Sequence, residues 1–357
     1  MSERIARLRT YLQQQKLDGV IVSKPENRRY FSQFNGTTGM LLITATSAYF
    51  LTDFRYIEQA EQQAQGYTIV DAGSKYGSKL SDLCQKSGGI ARVGFECDYV
   101  TWNECNSLKQ EMANVVLEPV KLDFFRMVKD ETEITAIREA VRIADAAFEQ
   151  IMPLIQPDIR EIDVACELEY IMRKLGSERP AFDTIIASGK RGALPHGLAS
   201  EKRIEPGDMI TMDFGAVFAG YHSDITRTVV LGRADPKQRE IYDVVLSAQL
   251  AGVNAVAVGK KCQEIDAVAR KVIEDAGYGK FFGHGLGHSL GLAIHEEPRF
   301  SPSAGEIVLE TNMVMTVEPG IYLPEWGGIR IEDTVLVSDQ RGVILTSSTK
   351  KLIELDC

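Results

Sequence analysis

Met209-Ile210-Thr211-Met212-Asp213-Phe214 and, about a hundred residues later, Val314-Met315-Thr316-Val317-Glu318 decide how this chain is read. Each is an apolar strand with one carboxylate in it. Acids are disfavoured in strands, and a buried carboxylate is costly unless a cation, a hydrogen-bond network or a proton compensates it. Each stretch runs into a glycine-containing turn and returns through a second acid, in Asp224-Ile225-Thr226 and in Glu332-Asp333-Thr334. Strand alternation puts Thr211 with Asp213, Asp224 with Thr226, Thr316 with Glu318 and Glu332 with Thr334 on common faces.

The duplication extends outward from these strands. A helix-like run over 143–155 is followed by Arg160-Glu161-Ile162-Asp163 and a second helix ending near Gly176. The later copy has a helix-like run over 241–256, then Gln263-Glu264-Ile265-Asp266 and a helix ending near Gly277. An internal repeat of this kind outweighs local propensity. Each half reads as two helices plus a hairpin, with one acid on the outgoing strand and one on the return. Packed about a pseudo-twofold axis, the halves would bring four carboxylates together. Four close anions repel one another unless metal ions neutralise them.

Histidine usage points to the same place. The chain has five, and three fall in Gly283-His284-Gly285-Leu286-Gly287-His288-Ser289-Leu290-Gly291-Leu292-Ala293-Ile294-His295-Glu296. Flanking glycines let the backbone crowd a site. His295-Glu296 does not open a zincin motif, because position 299 is Arg where the second histidine is required.

The first 120 or so residues read as an α/β unit. Ile5, Leu8, Leu12 and Leu17 give residues 1–20 the period of an amphipathic helix, without the apolar core of a signal peptide. A strand is expected over 18–22, a hairpin over 40–44 and 48–52, and a short strand over 91–95. Lys129-Asp130-Glu131-Thr132-Glu133 reads as a helix start, with Asp130 as N-cap and Glu133 three residues on. A boundary near residue 125 follows, giving domains 1–125 and 126–357.

Composition bounds the function classes. A net charge of −10 disfavours nonspecific binding to nucleic acid or an anionic membrane. No apolar run approaches the roughly 18 residues of a membrane span. The six cysteines form no C-x-x-C pair, which argues against a structural zinc site or a disulfide framework and fits a reducing, cytoplasmic location.

Asp213, Asp224, His288, Glu318 and Glu332 together resemble the five-ligand set of the pita-bread metallopeptidases, the family of methionine aminopeptidase, aminopeptidase P and prolidase. Pro195-His196-Gly197, Ser223-Asp224-Ile225-Thr226-Arg227, Val317-Glu318-Pro319-Gly320 and Gly328-Ile329-Arg330-Ile331-Glu332-Asp333 are similar to family motifs, and the likeness spans essentially the whole chain. Asn27-Arg28-Arg29-Tyr30 through Phe34-Asn35-Gly36-Thr37-Thr38-Gly39 resembles the extra N-terminal domain of the proline-specific members and the creatinases. The implied fold is α/β (α+β): a creatinase/prolidase-like domain followed by a pita-bread domain with a pseudo-twofold repeat.

The resemblance implies that Asp213 chelates one metal ion, His288 with Glu318 the other, and that Asp224 and Glu332 bridge them. One nitrogen among carboxylate oxygens suits Mn²⁺, with Co²⁺ or Zn²⁺ as alternatives. Such a pair would lower the pKa of a bridging water towards ~7. Glu318 is then the implied proton shuttle. His295 and His284 would bind the scissile carbonyl oxygen or hold substrate, His196 would flank the leaving side, and Arg330 would orient a ligand carboxylate. The implied activity is hydrolysis of Xaa-Pro bonds in short proline-containing peptides, by a homodimer. Arg299 is a candidate partner for a substrate carboxylate, and Trp326 for a pocket wall or a hairpin cap. His222 matches no family motif and reads as structural. A metal-free creatinase-like hydrolase and a non-catalytic pita-bread binding module are the competing readings, and the complete ligand set argues against both.

Overall fold

The structure, a computed structural model, describes residues 3–88 and 90–357. It forms two compact units, one ending at Phe125 and one beginning at Arg126. The first runs α1 (Glu3–Gln14), β1 (Gly19–Val22), α2 (Pro25–Ser32), β2 (Met40–Thr44), β3 (Ala48–Thr52) and α3 (Ile57–Gln63). It continues with β4 (Thr68–Asp71), α4 (Tyr76–Lys86), β5 (Arg92–Glu96), α5 (Trp102–Glu111) and β6 (Val116–Val120). Its sheet has the order β4-β3-β2-β1-β5-β6, with β2 antiparallel to both neighbours and the other pairs parallel. Ile5, Leu8 and Leu12 are buried, as their spacing requires, but the helix stops at Gln14. Lys16 turns left-handed there at φ 57°, and the Asp18 carboxylate accepts the backbone N–H groups of Ala91 and Arg92.

The second unit is two copies of one motif. The first has α6 (Glu131–Ile151), α7 (Glu161–Lys174), β7 (Ile185–Ser188) and β8 (Met209–Phe214), then a ribbon of β9 (Val217–Phe218) and β10 (Tyr221–His222), then β11 (Ile225–Leu231). The second has α8 (Pro236–Ala255), α9 (Cys262–Asp275), β12 (Gly287–Ser289), β13 (Glu296–Phe300) and β14 (Val314–Val317). A ribbon of β15 (Gly320–Leu323) and β16 (Gly327–Arg330) follows, then β17 (Asp333–Val337), β18 (Gly342–Ile344) and β19 (Glu354–Leu355). The sheets β19-β11-β8-β7 and β13-β12-β14-β17-β18 therefore correspond strand for strand at their centres. This is the duplicated arrangement expected of a pita-bread domain. Each sheet buries an apolar face under its own helix pair: Ile210, Met212, Val229 and Leu231 under α6 and α7, and Met315, Val317 and Val335 under α8 and α9.

Two sequence expectations shift. The runs expected as a helix start at Asp130 and a helix over 143–155 are one 21-residue helix, α6. Nothing between them breaks the period, so the capped start propagates. Asp224 and Glu332 stand one residue before β11 and β17, and Glu318 one residue after β14, instead of lying inside strands. The ladders end there because the halves bond to each other. Glu332 N–H donates to Thr226 O (3.1 Å), and Thr334 Oγ1 donates to Asp224 O (2.8 Å).

The start of α6 is closed by a reciprocal cap. Asp130 Oδ1 accepts from Thr132 N and Glu133 N, and Glu133 Oε2 accepts from Asp130 N, each at 3.0 Å. Asp130→Ala should lower the stability of this unit by about 1 kcal/mol, up to about 2. Urea unfolding followed on a probe in residues 126–357 checks it.

Candidate metal centre

The two central hairpins place their acids by register. Asp213 faces Thr226 across the β8–β11 ladder, and Val317 faces Asp333 across β14–β17, so Glu318 and Glu332 leave that ladder side by side. Oxygen atoms of Asp213, Asp224 and Glu332 all lie within 4.8 Å of one another. His288, on β12, brings Nε2 to 3.3 Å from Glu318 Oε1 and 3.5 Å from Asp224 Oδ2. Its Nδ1 lies 3.0 Å from Ser289 O, which can only accept, so Nδ1 carries the proton and Nε2 presents a lone pair. Close approach of β12 to β14 requires Gly287, where a Cβ would sit 2.1 Å from Thr316 O.

Hydroxyls aim the carboxylates. Thr226 Oγ1 donates to Glu332 Oε2 (2.7 Å) and Thr316 Oγ1 to Glu318 Oε1 (3.0 Å). Arg330 Nη2 donates to Asp213 Oδ2 (2.6 Å). Asp213 Oδ1 and Glu332 Oε1 are buried with no hydrogen-bond partner among the described residues.

Electrostatics follow from crowding. Burial, then repulsion from Glu332, Asp213 and Glu318, holds the Asp224 carboxyl well above its usual range. Burial and the charges of Glu318 and Asp213 do the same to Glu332. Burial pushes Glu318 up to about 7, against the lowering pull of Arg330. Burial drops His288 to about 3 and His284 to about 4, so both rings are neutral. Four carboxylates thus crowd around the Arg330 guanidinium, with Arg299 acting on Glu318 as well. At roughly 4 Å each unrelieved pair of anions would cost about 4 kcal/mol at an effective dielectric constant near 20.

The remaining candidates surround this cluster. His295 faces solvent with its ring edge-on to His288, centroids 4.5 Å apart, and its pKa is lowered by burial, then by Arg299 and His196. Arg299 is exposed, lies opposite His288 in the β12–β13 register, and has Nε 3.5 Å from Glu297 Oε1. His196 is exposed on a turn whose Pro195 O accepts from Arg330 Nη1 (3.2 Å). Trp326 lies in the β15–β16 turn, packed on the apolar core with Lys237 Nζ 5.0 Å from its ring centre.

His284 lies at the end of a hydrogen-bond chain leading from Arg330. Its Nδ1 lies 2.8 Å from Gly285 O and so donates, leaving Nε2 to accept from Tyr322 Oη at 2.9 Å. No ring N–H remains for a substrate oxygen. Arg330 Nη1 donates to the same Tyr322 Oη (2.8 Å), so Arg330 donates to Asp213 on one side and, through the Tyr322 hydroxyl, is linked to His284 on the other. Tyr322 was invisible in the sequence because an aromatic inside an apolar strand reads as core. His222, the unmatched histidine, holds Gly291 O by its backbone N–H (2.9 Å) and by Nδ1 (3.0 Å).

Residues 135–339 match Metallopeptidase family M24, and residues 4–128 match the Creatinase/Prolidase N-terminal domain. The chain belongs to metallopeptidase family M24. This metallopeptidase is 39% identical to the Xaa-Pro dipeptidase of Pyrococcus furiosus, over 99% of the chain and 100% of that protein. It superposes on the Xaa-Pro dipeptidase from Bacillus anthracis with a TM-score of 0.96 at 44% identity, covering 99% of each chain. The X-Pro aminopeptidase from Thermotoga maritima gives a TM-score of 0.91 at 35% identity, over 99% of this chain and 100% of that one.

Tyr322→Phe removes the hydroxyl shared by Arg330 and His284 and leaves a buried Nη1 bond and a buried imidazole nitrogen unmet. A stability loss of about 1–3 kcal/mol is expected by chemical unfolding. A loss below about 0.5 kcal/mol would mean the chain of bonds contributes nothing.

Proposed function

We propose that this metallopeptidase is a dinuclear enzyme that hydrolyses the bond between an N-terminal residue and proline, in short peptides and in Xaa-Pro dipeptides. The observation that carries the reading is the buried acidic cluster with two unpartnered oxygens, on Asp213 and Glu332. Such oxygens fit a cation in place of a hydrogen-bond donor. The donor set of one imidazole nitrogen and four carboxylates fits hard divalent ions, Mn²⁺ first. Asp213 would hold one ion, His288 and Glu318 the second, with Asp224 and Glu332 between them. When bound, the pair supplies Lewis acidity and a water acidified to near neutrality.

The chain's own residues do the rest. Glu318, held beside His288 and oriented by the Thr316 hydroxyl, would take a proton from water and return it to the leaving nitrogen. His295, at the solvent side of His288, is placed to donate to the scissile carbonyl oxygen. Arg330 fixes Asp213, and His284 fixes Arg330 through Tyr322. The names of the Pyrococcus furiosus and Bacillus anthracis relatives support a dipeptide substrate, and that of the Thermotoga maritima relative a longer one.

Metal loading tests the centre. Carboxyls whose folded pKa is raised hold protons that the unfolded chain would release. Their ionised forms therefore disfavour the metal-free fold as pH rises from about 4.5 through about 7 at Glu318. Cation binding needs the ionised forms, so Mn²⁺ affinity should rise over that window and uptake near pH 6 should release protons. Neutral His288 contributes none of them. Calorimetry in two buffers of different ionisation enthalpy reads the release, and Glu332→Gln should lower metal stoichiometry. Uptake of two ions with no proton release would contradict the assignment.

Arg299 tests substrate length. An exposed guanidinium beside the cluster is suited to the free carboxylate of a dipeptide, a charge-assisted bond worth about 1.5–3 kcal/mol. Arg299→Ala should raise KM for Xaa-Pro about 10-fold or more and leave Xaa-Pro-Yaa nearly unchanged. Equal effects on both substrates would return Arg299 to an ordinary surface role.

A further inference from the structure

Glu296 stands outside the metal cluster, yet it is a buried carboxylate set among two buried cations. Its Oε1 accepts from Arg126 Nε (2.9 Å) and from Ala293 N (3.1 Å). Lys129 Nζ lies 3.4 Å from Oε2 and donates to Ser289 Oγ at 2.9 Å. Exposure of the Arg126, Lys129 and Glu296 side chains is at most 2%. Burial alone would raise the Glu296 pKa, but Lys129 and Arg126 outweigh it and hold the group ionised.

The geometry of the loop shows what this cluster holds. β12 and β13 pair antiparallel, with Ser289 opposite Glu296, and the segment 290–295 loops out between them carrying His295. Its first half is held by packing, with Leu290 and Leu292 both buried. Leu290 is buried under α6, and Gly291 O is held by His222. The end bearing His295 is fixed by Glu296 through Ala293 N–H and through the two cations. A neutral amide cannot replace the carboxylate, since one of its two ends would direct N–H groups at a cation or at another N–H.

We propose that Glu296 is a positioning residue, which with Arg126 and Lys129 fixes the loop 290–295 so that His295 keeps its place beside His288. The inference rests on the proposed role of His295 and extends it to the charge behind the loop. A loop displaced by an ångström costs turnover far more than it costs fold.

The test is a double-mutant cycle on Mn²⁺-loaded enzyme with an Xaa-Pro dipeptide, joined to amide exchange on the metal-free protein. Glu296→Gln should lower kcat about 10-fold or more, with KM and metal stoichiometry near wild type. In a His295→Ala background the same change should cost less than about 2-fold. Exchange should quicken at the Ala293 amide and stay unchanged across the rest of the unit. Should Glu296→Gln fail to fold, Gly291→Ala applies the same test, because its Cβ would lie 2.8 Å from Glu296 Oε2 and displace the loop against the carboxylate. Equal losses in both backgrounds, or exchange quickened throughout the unit, would overturn the inference and leave Glu296 a general stabiliser. Full kcat for His295→Ala alone would instead remove His295 from the proposed mechanism, and the positioning role with it.

Discussion

Mutual repulsion among Asp213, Asp224, Glu318 and Glu332 is the constraint on which the second unit depends. A chain that brings four acids into a buried centre must spend rigidity to keep them there. The fold does so by setting each acid within one residue of a strand end and by bonding the two halves across the centre at Thr226–Glu332 and Asp224–Thr334. Behind that seam, Arg227 donates to Asp333 Oδ1 (2.8 Å) and to Ser348 O (2.7 Å), so the C-terminal segment is tied to the residue next to Glu332.

A second pattern surrounds the centre. Each loop that brings a candidate histidine is pinned by a carboxylate paired with a guanidinium. Glu161 accepts from Arg191 Nε (2.9 Å), Ser188 N (2.8 Å) and Ser200 N (3.2 Å), bracketing the segment with His196. Asp266 pairs with Arg270, whose Nη2 donates to His284 O (2.8 Å), and accepts from Leu286 N (3.0 Å). Glu296 with Arg126 serves the loop of His295. These glycine-rich segments combine core packing, as at Leu286 and Leu290, with buried charge that fixes the ends carrying the histidines.

The contrast between what could and could not be read in the sequence follows the range of the interactions. Helix pairs, central hairpins and the acids they carry are local patterns repeated twice, and they stand in the structure within a few residues of expectation. Four helices of the first unit, α2 to α5, escape the sequence because each is 7 to 11 residues long, too short for an apolar period to repeat clearly. The partner of His284, Tyr322, lies on β15 and is not legible from the sequence. Arg126 and Glu296 are separated by 170 residues, and no window of sequence relates them. A single histidine, His288, breaks the symmetry of the two copies, and that difference was legible because its neighbours are glycines.

Because each hairpin supplies only part of the acidic cluster, neither half of the second unit owns a complete site. During synthesis the first copy emerges with Asp213 and Asp224 alone, and a nascent chain has nothing that grips a divalent ion tightly until Glu318 and Glu332 arrive. On the proposed reading, ion capture would therefore come last and act on the finished product. The same division works in reverse: separating the halves must tear the cluster open, so a bound ion slows unfolding as well as disfavouring it. Occupancy of such a site is in effect a certificate that both copies have met.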